Sequence, residues 1–291
     1  MTLAPVLLLS IAVAAASHPV AFWRAIAASK YELPAGEQAS TLASELVDLL
    51  ASPDPELRDE IAYSTLANWI YERKSLDAEA VRGVAERLTG NLKAGIGEQS
   101  TDAVFRRSFS ALTLAAVIAR DNAEPFLRKD EVAATLTAAL QYLAAERDVR
   151  GYDQQRGWMH SAAHTADLLR FLARSRHLDP ADQPRILDAI TAKLAGAGTV
   201  FTHGEDERMA RAVLSIVNRA DFDRDAFRGW TVRTRPARLN TASPTPSQLA
   251  GVQNAKNLLA KLEVILASVP EPTEAIGSAR ESVREALKGL F

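Results

Sequence analysis

Apolar side chains recur at the spacing of one helix face through most of the chain. From Pro55 onward, Leu57, Ile61, Leu66, Trp69 and Ile70 share a broad stripe. Asp54 opens it as a predicted N-cap, and Pro55 suits the first helical position. Phe105, Phe109, Leu112 and Ala116 mark another helix, and Val132, Leu136, Leu140 and Leu143 the next. The pattern returns at Met209, Ala212, Val213, Ile216 and Val217, and again at Leu249, Val252, Leu259, Leu262 and Leu266. Short breaks separate these runs, among them Leu33-Pro34-Ala35-Gly36, Ser52-Pro53-Asp54-Pro55, Leu178-Asp179-Pro180 and Ala195-Gly196-Ala197-Gly198. Short connections make successive helices antiparallel neighbours. No alternating β-branched run is long enough to argue for a sheet. The expected fold is all-α, with stacked antiparallel helix pairs. It is either a HEAT-like α-α superhelix or, since no strict repeat consensus is present, an irregular helical bundle.

Residues 17–228 read as the helical-repeat domain, and 229–247 as an irregular loop. Pro236, Pro244 and Pro246 remove backbone donors there, and the small polar residues favour turns. Residues 248–291 read as a C-terminal helical hairpin, about Pro246 to Ser268 and Thr273 to Lys288, capping the same domain. Residues 1–16 read as a signal peptide: Leu3 to Ala16 is uncharged and apolar, and Ala14-Ala15-Ala16 ends it as a cleavage site. That implies a periplasmic or secreted chain. No Lys or Arg precedes the run, and its other reading is an apolar first helix packed on the body of a cytoplasmic protein. No later stretch is long and apolar enough to span a membrane.

Composition narrows the chemistry. The 291 residues contain no cysteine, which removes disulfides, thiolate catalysis, Cys-ligated zinc and iron–sulfur clusters. A formal charge of -2 gives no global attraction to nucleic acid. The basic run Arg228, Arg233, Arg235 and Arg238 could touch phosphate but reads better as a solvated loop. No P-loop, dinucleotide fingerprint, nucleophile elbow or calcium loop is present. Trp23, Trp69, Trp158 and Trp230 read as core residues.

Candidate chemistry concentrates between Glu146 and Asp167. With a helix starting near Arg156, His160, His164 and Asp167 stand at i, i+4 and i+7, within about 60° of one another. A divalent metal could take His160 and His164 with a carboxylate from elsewhere, Glu205, Asp206 or Asp148. Bound water would then serve as the nucleophile of a hydrolase. The competing reading makes the histidines neutral hydrogen-bonding groups that tie helices together through Asp167, Arg150 and Arg208. Their spacing is not that of a His-Glu-x-x-His zinc protease. Downstream, Thr202 and Glu205 have the spacing of a capping box.

The run Arg147-Asp148-Val149-Arg150-Gly151, followed by Gly157-Trp158-Met159-His160-Ser161-Ala162-Ala163-His164-Thr165-Ala166-Asp167-Leu168-Leu169, resembles the signature of the bacterial family called domain of unknown function 2785. Three other segments agree in order: Leu57 to Tyr63, Asp102 to Ser110, and Glu205 to Ala210. The resemblance extends roughly from Glu37 to Val217 and implies an all-helical fold, with no activity to carry over. Three functions stay open. The first is a binding module whose concave face, lined by Arg107, Asp148, Arg150, Trp158, His160, His164, Asp167, Glu205 and Arg208, holds a peptide, a protein or a small anionic ligand. The second is the metal-dependent hydrolase on His160, His164 and Glu205. The third is a structural protein in which the cluster serves folding alone.

Overall fold

The computed structural model describes residues 18–236, 239 and 242–290. The signal-peptide reading of 1–16, and Arg238 of the basic run, lie outside the described residues.

The regular secondary structure of the described residues is helical apart from one two-stranded hairpin. Helices α1 (Val20–Ala28) and α2 (Ala39–Leu49) lead to a long rod, α3, built of Glu56–Tyr63, Ser64–Ala67 and Asn68–Glu72. The first and last of these segments wind as π-helix. The apolar stripe steps from Ile61 to Leu66 by five residues, which in a regular α-helix would swing the side chain by about 140°. The wider π turn keeps both inside, and Ile61, Leu66, Trp69 and Ile70 are all buried. Asp54 does cap this rod: its Oδ1 accepts the Glu56 N–H at 2.9 Å.

There follow α4 (Ala78–Asn91), α5 (Ala103–Ala123), α6 (Lys129–Ala145), strands β1 (Tyr152–Asp153) and β2 (Gly157–Trp158), α7 (Ser161–Leu172), α8 (Asp182–Gly196) and α9 (Glu205–Val217). Helix α3 packs on α5, α5 on α7 and α7 on α9, forming one layer. Helices α2, α4, α6 and α8 lie behind them as the other members of the antiparallel pairs. A single apolar cluster runs through both layers, from Trp23 to Val283. No helix among the described residues is long and apolar enough to cross a membrane.

Two expected boundaries are corrected. Helix α10 (Arg224–Thr234) occupies the first third of the expected 229–247 loop. Asp223 caps it by accepting the Asp225 and Ala226 N–H groups, and Phe227, Trp230, Thr231 and Thr234 bury one face. Its polar, β-branched sequence hid a helix that burial on α8 and α12 stabilises. The basic residues there bind the protein itself: Arg233 meets Asp188 at 3.0 Å, and Arg235 donates to the Lys288 carbonyl at 2.8 Å. Helix α11 (Pro246–Ala267) packs on α9 and α8, and α12 (Glu274–Leu287) on α11 and α10.

The second correction concerns the histidine helix. It begins at Ser161, not near Arg156, because Asp153 accepts the Gln155 and Arg156 N–H groups and turns the chain into the β1–β2 hairpin. His160 is therefore the N-cap, in a left-handed conformation at φ 48°.

Candidate functional site

The connections α2–α3, α4–α5, α6–α7 and α8–α9 each lead from the rear layer to the front one, so they meet at one end of the stack. The polar cluster lies there. Arg107 on α5 is fully buried and grips Glu146 with two bonds, Nε to Oε2 at 2.6 Å and Nη2 to Oε1 at 3.2 Å. Its Nη1 donates to the Ala94 and Gly95 carbonyls at 2.9 and 2.8 Å. Asp148, also buried, accepts the Ser100 N–H at 3.0 Å and is held by Arg150 at 2.8 and 2.6 Å. Arg150 reaches on to the Thr101 carbonyl. On α3, buried Arg58 donates to the carbonyls of Ser52 and Arg156 at 2.9 and 2.7 Å and lies over the Phe105 ring. Each of these cations ties one connection to another. Arg107 and Asp148, expected on an open concave face, are corrected to buried staples: their charges survive burial because every strong group finds a partner.

Burial also sets the ionisation here. Loss of solvent pushes the Asp59 carboxyl up to about 6, against the pull of Arg58. It pushes Lys193, which donates from α8 to the Glu146 carbonyl at 2.6 Å, down to about 8.

His160 and His164 sit side by side, ring centroids 5.6 Å apart and nearly perpendicular. The His203 carbonyl, 3.0 Å from His160 Nε2, can only accept, so Nε2 carries the proton and Nδ1 the lone pair. The Ser108 hydroxyl donates to the Met159 carbonyl, so its 2.8 Å contact with His164 is an Nδ1–H donation, leaving Nε2 as the lone-pair nitrogen. Desolvation, reinforced by the nearby Arg208 charge, pushes His160 down to about 4. Desolvation, the neighbouring His160 and Arg208 push His164 well below its ordinary range. Both rings are neutral hydrogen-bonding groups at neutral pH.

Glu205 approaches His160 Nε2 at 3.8 Å, but its other oxygen accepts the His203 N–H at 2.8 Å. The expected Thr202 capping box does not form: the N-cap of α9 is Gly204, at φ 85°. Trp158, expected in the core, is 39% exposed on the hairpin and stacks on His160 with centroids 4.3 Å apart. Gly151 lies beneath His203, where a Cβ would stand 2.3 Å from the imidazole Nδ1, so any larger residue must displace that ring. Among the described residues, no group of three or more His, Asp or Glu is disposed to hold a metal ion. A shallow hollow of about 320 Å³ at this end is lined by Asp148, Arg150, Gly151, His203 and Glu205, among others.

A second opening lies on the front face. A groove of about 480 Å³ is walled by α3 (Tyr63, Tyr71, Glu72) and α7 (Asp167, Phe171) and floored by α5. Leu112, Ala115, Ala116 and Ala119 stand along the floor at i, i+3, i+4 and i+7, and their small volume leaves the space open. Tyr31 closes the rim. It follows Lys30 in a left-handed turn, φ 57° and 63° for the pair, a costly conformation for residues other than glycine. Three bonds hold it: Tyr31 N–H to the Ile26 carbonyl at 2.9 Å, Trp69 Nε1 to the Tyr31 carbonyl at 2.8 Å, and Arg73 Nε to the Lys30 carbonyl at 3.1 Å.

Asp167 belongs to both regions. Arg208 of α9 pairs with it, yet desolvation still leaves its carboxyl raised. The charges of Asp167 and Arg208 also act on Tyr63, whose hydroxyl burial pushes up. Of the nine residues expected to bind, Asp167 alone lines this groove. Tyr31, Tyr71 and the alanine floor escaped sequence reading because tyrosines and alanines at helical spacing look like ordinary packing. One signal was present: the α5 stripe shrinks from Phe105 and Phe109 through Leu112 to Ala116.

A family model described as "Protein of unknown function (DUF2785)" matches residues 92–264. No curated protein and no solved structure matches the chain.

Proposed function

We propose, for a chain that belongs to the DUF2785 family, that it is a binding module whose front groove receives a segment of an extended peptide. The observation that carries this reading is the groove itself: an alanine floor between aromatic walls, its rim held by a left-handed Lys30–Tyr31 pair. Strain of that kind persists only where surrounding contacts over-determine it, and it gathers at ligand clamps. The π-wound segments of α3 supply Tyr63, Tyr71 and Glu72 to the same wall. Such turns are frequent at functional sites. A small anionic ligand fits less well, because the charged lining residues, Glu72 and Asp167, are both acids.

Selection of random peptides displayed on phage against the purified chain tests this. The selected peptides should lose at least about tenfold in affinity for Ala116→Trp, which fills the floor, and for Tyr71→Ala, which strips one wall. Circular dichroism of both variants checks that the fold is kept. Peptides that bind both variants as well as the parent, or a selection that yields none, would end the proposal.

The metal-dependent hydrolase keeps one observation in its favour. His160 and His164 each donate through one nitrogen and leave the other without a protein partner among the described residues, as zinc-bound histidines do. Zinc added to the protein should then quench Trp158, with the quenching lost in His160→Asn. Equal quenching in parent and variant removes the idea. For the first residues we propose removal after Ala16, which N-terminal sequencing of protein exported from a bacterial host decides; a chain beginning at Met1 would contradict it.

A further inference from the structure

We infer that the peptide's anchor in the groove is a cationic side chain, a lysine or an arginine. The inference rests on the peptide-groove reading and adds the chemical class of what the groove holds. Four aromatic rings line it: Tyr31, Tyr63, Tyr71 and Phe171. Aromatic faces carry negative potential and attract ammonium and guanidinium groups. Among the described residues, the only ionisable ones in the lining besides the tyrosines are the acids Glu72 and Asp167, with no lysine, arginine or histidine.

The two acids are not equivalent. Arg208 is bound to Asp167 and offsets its charge. Glu72 is exposed, and its carboxylate has no ion pair or hydrogen bond to protein among the described residues. Of the cations next to the groove in sequence, two are engaged elsewhere, and Lys30 of the rim turn is exposed and takes no part in the lining. Arg73 donates to the Lys30 carbonyl and faces Glu32, and Lys74 is paired with Glu124. A ligand cation entering along the alanine floor would thus pass tyrosine rings and meet the unneutralised carboxylate of exposed Glu72. Its aliphatic stem would cover Ala115, Ala116 and Ala119, as long basic side chains do on apolar surface. An acidic or neutral polar anchor would meet no complementary charge there.

The test compares acetyl-Lys-Leu-amide with acetyl-norleucyl-Leu-amide, which differs in lacking the ammonium group. Both are titrated into the ¹⁵N-labelled full chain and followed by amide shifts. The lysine probe should shift groove amides of α3, α5 and α7 and bind about tenfold more tightly than its neutral partner. Glu72→Gln should remove most of that preference, while Ala116→Trp removes binding of both. Equal affinity for the two probes overturns the cation while leaving the peptide groove standing. So does silence of both probes while phage-selected peptides still depend on Ala116. Probe binding that Ala116→Trp leaves unchanged overturns the cation and the groove together.

Discussion

The end cluster and the front groove lie next to each other, joined through Asp167, and are built on opposite terms. At the end, nearly every charge has a protein partner. Arg107 has Glu146 and two carbonyls, Asp148 has Arg150 and the Ser100 N–H, and Arg58 has two carbonyls and the face of Phe105. In the groove, aromatic rings and alanines line open space, and Glu72 is left to solvent. The denser and more distinctive polar motif is thus the saturated one. A buried charge satisfied by its own chain has little left to offer a ligand, whereas an open surface of modest composition does.

The contrast breaks most sharply at Arg107. Its replacement by alanine would strand Glu146 in the interior, and breaking such a buried pair costs about 3–5 kcal/mol. Urea unfolding should show that loss; a cost under about 1 kcal/mol, the range of surface pairs, would mean the staple is not what holds the connections.

The histidines come next. Unfolded, His160 takes up its proton near 6.5; folded, only near 4. Between those values the unfolded chain binds more protons, so stability contributed by the neutral ring is complete above about pH 6.5 and is lost as pH falls towards 4. Asp59, raised to about 6, works the other way: between 3.8 and 6 the folded chain holds the extra proton. Comparing parent with His160→Asn isolates the histidine. The parent should lose about 2–3 kcal/mol more than the variant over that fall in pH. Parallel pH curves would place the His160 proton elsewhere.

Gly151→Ala should cost about 1–3 kcal/mol, since the added methyl meets the His203 ring and forces the two connections apart. A neutral effect would show that His203 simply swings aside. The smallest effect belongs to the other region. Tyr71 is 40% exposed, so Tyr71→Ala should change stability by no more than about 0.5 kcal/mol while weakening peptide binding. If it destabilised the chain as Arg107→Ala does, the division between staple and groove would be gone.

Much of the helical frame could be read directly from periodicity, because a core-facing helix repeats every 3.6 residues whatever it packs against. The stripes of α5, α6 and α9 and the terminal pair of helices were all legible in that way. Helix α10 was not, because its polar sequence becomes helical through burial of Trp230 and Phe227 between α8 and α12. Nor was the left-handed His160, whose place depends on a hairpin that closes through backbone bonds to Arg150 and Gly151.

Sequence order alone established most of the helices and the polar candidates for chemistry, since both follow from local spacing and side-chain type. Whether a candidate is saturated or available depends on neighbours dozens of positions away. Arg107 meets Glu146, Arg208 meets Asp167, and Tyr31 joins residues of α3, α5 and α7 around one opening. Those meetings exist only once the rods have stacked, because burial and charge pairing are properties of the packed arrangement and of no single segment.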